Sequence, residues 1–128
     1  DAARAGKMLW LKFDPSHIPE KMHAGPMPLG RRYSADVMNM DAFRQIAGYS
    51  GKVLLLHGDR DAIVDISCAE KAESVYRAAG ADVRFAVIPG GKHIFRKPSQ
   101  IRQATQEITA FVRKIKEENE NEADNGTV

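Results

Sequence analysis

At 128 residues, with 43% hydrophobic and 28% charged residues, the chain has the make-up of one soluble globular domain with an ordinary core. No apolar run is longer than Val53 to Leu56, far short of the roughly 20 residues a membrane span needs, so no membrane partner is expected. The net charge of +2 hides an uneven split: five of the 17 acidic residues fall between Glu117 and Val128, leaving 19 basic residues against 12 acidic ones before them.

A basic body invites a nucleic-acid reading, but the pattern argues against it. Arg31-Arg32 and Arg96-Lys97 are the only adjacent basic pairs outside the last predicted helix, and no aromatic residues interleave with them as a stacking platform requires. A solvated surface accounts for the charge, and no nucleic-acid partner is expected. The single cysteine, Cys68, excludes an intrachain disulfide framework and fits a reducing, cytoplasmic setting. It stands near the start of a predicted helix and reads as a small core residue. The N-terminus has no signal-peptide layout and no initiator methionine, so the expectation is that Asp1 is an interior cut of a longer protein.

Residues 1–35 show no stable period. An apolar patch, Met8-Leu9-Trp10-Leu11-Lys12-Phe13, is followed by Pro15, Pro19, Pro26 and Pro28. Proline removes backbone donors and fixes φ, so this stretch is predicted to be an irregular, cap-like segment with at most short helical turns. His17 and His23 lie near Asp14 and Glu20, but the spacing matches no zinc pattern, and they read as exposed loop histidines. No metal ion or cofactor is expected.

From Ser34 to Gly48 the pattern predicts a helix, with Val37, Met38, Met40, Phe43, Ile46 and Ala47 on one face and Asp36 and Asp41 as available caps. A strand follows, Lys52-Val53-Leu54-Leu55-Leu56-His57, closed by Gly58-Asp59-Arg60-Asp61. The next helix is predicted from about Ser67 to Ala79, with Gly80 as its stop. Val83 to Ile88 is a second strand, followed by a glycine-rich loop, Pro89-Gly90-Gly91-Lys92-His93. The last helix is predicted from Pro98-Ser99, burying Ile101, Ala104, Ile108, Phe111, Val112 and Ile115. Residues 117–128 read as a disordered acidic tail.

Strand, helix, strand, helix is the crossover unit of a parallel sheet, and strands apolar throughout are expected where both faces are covered. The fold class is therefore α/β, over residues 1–116. In a parallel sheet the two loops open on one edge, where Asp61 and His93 can meet. A carboxylate that orients an imidazole is two thirds of a hydrolytic triad. The third member belongs on a Gly-x-Ser-x-Gly elbow, and none occurs. Gly48-Tyr49-Ser50-Gly51 is the nearest approach, and it precedes a strand instead of following one. Asp59 is a competing acid whose plainer role is a turn residue bonding its own backbone. His57 reads as a packed or backbone-bonded imidazole.

From Gly51 to Phe95 the sequence resembles the C-terminal part of an α/β-hydrolase. In that family His-Gly-x-x-Asp-x-x-Val closes the acid strand and a Gly-x-x-His or Gly-x-His loop carries the base. Here these are His57-Gly58-Asp59-Arg60-Asp61-Ala62-Ile63-Val64 and Gly90-Gly91-Lys92-His93. Lys12 to Glu20 and Leu29 to Tyr33 resemble the region beyond the sixth strand of feruloyl/cinnamoyl esterase-like hydrolases, relatives of serine aminopeptidase-like and acylglycerol-lipase-like enzymes. Asp65 departs from the proline usual after the valine.

The resemblance implies that Asp61 orients His93 and that His93 is the base for a serine lying outside these residues. The expected function is the acid-and-base segment of a serine esterase, inactive alone, completed on a small-molecule ester by an N-terminal half. The alternative is a non-catalytic hydrolase-like binding or interaction module. The first strand would have an unpaired edge, so homo-oligomerisation through that edge is a further expectation.

Overall fold

A computed structural model of the chain describes residues 5, 7–8, 11–24 and 26–125. Leu9 and Trp10 of the apolar patch, and the last three residues of the acidic tail, lie outside the described residues. The chain divides into two units, Asp1–Ala42 and Phe43–Val128.

The first unit is more regular than its proline content predicts. Strand β1 (Lys7–Met8) pairs antiparallel with β2 (Leu11–Lys12), and β3 (Lys21–Ala24) pairs antiparallel with β4 (Met27–Gly30). Met22 faces Leu29 across the second hairpin; both are buried, and Leu11, Phe13 and Val37 pack against them. That cross-strand pair explains why an irregular segment gives way to a hairpin. Pro28 is tolerated because each strand of a two-stranded ribbon has a free outer edge that needs no donor. His17 and His23 are exposed.

The single helix predicted over Ser34–Gly48 is two. Helix α1 (Arg31–Asn39) starts directly after β4, and α2 (Ala42–Ile46) follows a break at Met40, whose backbone is extended. Asn39 and Asp41 flank the break. Short polar side chains of this kind compete with the helical backbone; Asn39 Nδ2 donates to the Ala35 carbonyl at 3.0 Å.

In the second unit the predicted order holds: β5 (Lys52–Gly58), α3 (Ile66–Ala78), β6 (Asp82–Ile88) and α4 (Pro98–Asn125). The two strands are parallel, in register from Lys52 opposite Asp82 to Gly58 opposite Ile88. Helix α3 is capped by Asp65, whose carboxylate accepts the Ser67 N–H at 2.9 Å, and it stops before Gly80 at φ +86°. The residue that departs from the family's proline is thus a working cap. Cys68, predicted to be a core residue, is exposed, because it falls on the outer side of the first turn.

The strands are not sealed on both faces. Val83, Ala86 and Ile88 are buried on β6 while Arg84 and Val87 are exposed, and β5 is half-buried along its whole apolar run. Helix α4 buries Gln100 and Ala104 and half-buries Phe111 and Ile115, but Ile101, Ile108 and Val112 of its predicted core face are exposed. One helix covers two strands with a stripe about 100° wide, so the second apolar stripe is left outside.

The acidic tail, predicted to be disordered, continues α4 to Asn125. Ion pairs carry it on: Lys114 with Glu118 at 3.8 Å, Lys116 with Glu120 at 3.7 Å, and Glu118 with Lys52 at the start of β5. Among the described residues no helix is long and apolar enough to cross a membrane.

Candidate active site

Because β5 and β6 are parallel and end in register, the loops that follow them emerge side by side. Two glycines let them touch. A Cβ on Gly58 would overlap the carbonyl of Gly91, and one on Gly91 would come within 2.9 Å of the Gly58 Cα and 2.8 Å of the Ile88 carbonyl oxygen. This close approach is a site where any side chain is excluded. Hydrogen bonds then join the loops: Arg60 N–H donates to the Gly91 carbonyl at 2.9 Å, and Gly90 N–H to Asp59 Oδ1 at 2.6 Å.

The structure brings Asp61 and His93 together. His93 Nδ1 lies 3.0 Å from Asp61 Oδ2, while Asp61 Oδ1 accepts the backbone N–H groups of Ile63 at 2.8 Å and Val64 at 3.0 Å. The Asp61 side chain is only 6% exposed; that of His93 is 46% exposed. Burial alone would raise the Asp61 pKa, but the Val64 N–H, the His93 bond and the Ile63 N–H together outweigh it and hold the carboxyl at about 2. An ionised carboxylate accepts only, so His93 Nδ1 must donate, and the neutral ring then carries its lone pair on Nε2. Nothing among the described residues bonds Nε2. The arrangement can accept a proton at that atom and stabilise the imidazolium that results.

His57 is the backbone-bonded imidazole that the sequence predicts. Its side chain is 12% exposed, and Nε2 donates to the Val64 carbonyl at 3.0 Å, with Asp61 Oδ2 3.7 Å from the same nitrogen. It therefore braces the turn whose N–H groups hold Asp61. Asp59 is not the self-bonding turn residue predicted; its carboxylate reaches across to the loop that carries His93. The visible sign in the sequence is glycine at the end of each strand, Gly58 and Gly90-Gly91, which calls for close loops, but nothing local names Asp59 as the tie. Ser50 is exposed and stands before β5, at the opposite end from His93. Among the described residues no group of histidine, cysteine and acid side chains is arranged to hold a metal ion.

A family profile described as the prolyl oligopeptidase family matches residues 2–118. Among solved structures, Est1E from Butyrivibrio proteoclasticus with ferulic acid bound superposes with a TM-score of 0.72 at 26% identity, covering 84% of this chain and 43% of that one. A second structure of Est1E from Butyrivibrio proteoclasticus gives 0.66 at 24%, covering 84% and 46%. The chain thus spans less than half the length of these solved relatives. No curated protein matches it. The fit is that of the C-terminal part of an α/β-hydrolase, as the motifs after β5 and β6 predict.

Proposed function

Because the chain belongs to the prolyl oligopeptidase family, we propose that it is the segment of a serine hydrolase that supplies the triad acid, Asp61, and base, His93, for cleavage of small carboxylic esters. The observation that supports this most is the 3.0 Å bond from His93 Nδ1 to a buried, ionised Asp61. The nucleophile would come from a Gly-x-Ser-x-Gly elbow outside these residues. His93 would take the serine proton on Nε2 as the acyl carbon is attacked and return it to the leaving alcohol; Asp61 would hold the ring and its charge. Likeness to an esterase that holds ferulic acid favours an ester substrate over a peptide.

Reconstitution tests this. Mixed with or fused to a hydrolase segment bearing the elbow, the chain should cleave short p-nitrophenyl esters, while the 128-residue chain alone should not exceed its His93→Ala variant. In the reconstituted enzyme Asp61→Asn should lower turnover by roughly four orders of magnitude, the loss seen when a triad acid is removed. Turnover indifferent to His93 would leave the non-catalytic binding module as the reading.

A further inference from the structure

A cavity of about 610 Å³ opens beside the imidazole, walled by the loops after β5 and β6 and by the first turn of α4. Its composition is one-sided. Arg60, Lys92, Arg96 and Lys97 line it together with His93, and no carboxylate does. Several basic residues elsewhere in this unit carry acidic partners, Lys52 and Lys114 with Glu118, Arg77 with Glu73, Arg84 with Glu107, and Lys116 with Glu120, and Lys71 sits over the Phe43 ring. Among the described residues the four cavity cations have none. Like charges gathered in a concave site repel one another and focus a positive potential that a bound anion relieves. Ile63 and Ile94, 48% and 61% exposed, add an apolar wall to the same cavity, so it is suited to a short hydrocarbon chain ending in a charge.

We propose that this cavity selects an anionic substrate: an ester that also carries a free carboxylate, its hydrocarbon against Ile63 and Ile94 and its carboxylate held by Arg60, Lys92, Arg96 and Lys97. The inference rests on the reading of His93 as the base, since it places the carboxylate within one short chain of the reacting ester. Guanidinium groups from two loops can grip a carboxylate through paired N–H donors, which a lone surface lysine cannot.

Binding to the 128-residue chain tests it without any nucleophile. Monomethyl succinate, dimethyl succinate and methyl 4-aminobutyrate, alike in length but anionic, neutral and cationic, are titrated while the His93 and Ile94 NMR signals are followed. The hemiester should bind roughly tenfold more tightly than the diester, the gain expected from two or three partly exposed ion pairs, and the amino ester most weakly. The preference should vanish in Arg96→Gln/Lys97→Gln. Arg60→Gln, on the other loop, gives a second variant that should weaken the hemiester selectively if the first does not fold. Equal binding of hemiester and diester, binding of neither, or a preference untouched by these substitutions would overturn the proposal. Such a failure beside His93-dependent turnover in the reconstituted enzyme removes the anion site alone. Hemiester binding without His93-dependent turnover removes the catalytic reading alone.

Discussion

Asp59 and Gly90 are tied across two loops by a 2.6 Å hydrogen bond from the Gly90 N–H to the Asp59 carboxylate. Asp61, two residues further on, holds the imidazole three residues beyond Gly90, so one turn anchors both the histidine and the loop that presents it. Asp59→Ala removes the acceptor and should speed amide exchange at Gly90, with a stability loss of about 1 kcal/mol. Asp59→Asn keeps an oxygen there and should retain most of the protection. Unchanged Gly90 exchange in Asp59→Ala would show that the Arg60–Gly91 bond and the glycine contact suffice.

The contact of Gly58 with Gly91 sets a second expectation. In Gly58→Ala the new methyl meets backbone, which cannot swing aside as a side chain could, so the loops must part. A loss of about 1–3 kcal/mol is expected in urea denaturation, with the His93 resonances displaced. Gly48→Ala is the control, because a Cβ there meets nothing within 4 Å. Equal stability of the two variants would mean that the loops yield freely.

Asp61 links the site to pH. Its folded-state pKa, about 2, lies below the ordinary 3.8, so the unfolded chain binds the proton first as pH falls. The ionised carboxylate therefore contributes stability in full above about pH 4, on the order of 2 kcal/mol, and that contribution is lost as pH drops through about 2. Urea midpoints of the parent should fall more steeply between pH 4 and pH 2 than those of Asp61→Asn. Asp14, Asp65 and Asp82, whose carboxyls are also held low, are present in both chains and cancel in the comparison. Parallel acid profiles would show that Asp61 has no such bond set in solution.

The parts of the fold legible in the sequence are those in which local pattern and tertiary need coincide. Val53 to Leu56 is a strand-length apolar run, Val83 to Ile88 is interrupted only by Arg84, both are followed within two residues by glycine, and Ser67 to Ala79 is a helix between turn signals, so the crossover and the meeting of its two loops follow. The hairpin of Lys21 to Gly30 is hidden because its register rests on one pair, Met22 with Leu29, which no period announces. The role of Asp59 is not legible locally because its partner is 31 residues away. The side of α4 that meets the sheet was obscure for another reason. Its apolar residues form two adjoining stripes, and periodicity cannot tell which one a two-stranded sheet will take.

That second stripe, with the edge of β5, bears on how the chain behaves alone. Among the described residues β5 pairs with β6 on one side only, and Ile101, Ile108 and Val112 stand 49%, 48% and 57% exposed along α4. An unpaired strand edge and an uncovered apolar stripe both favour association between chains. Sedimentation at micromolar concentration should therefore find self-association, accompanied by binding of an apolar dye. Ile108→Lys with Val112→Lys should reduce the dye signal while moving stability by no more than about 0.5 kcal/mol, as expected of exposed positions. If dye binding falls and association persists, the β5 edge carries the contact; if both fall, the α4 stripe does. A parent chain that sediments as a compact monomer with no dye-detectable surface would show that both features are tolerated as they stand, and the expectation of a homo-oligomer would fail.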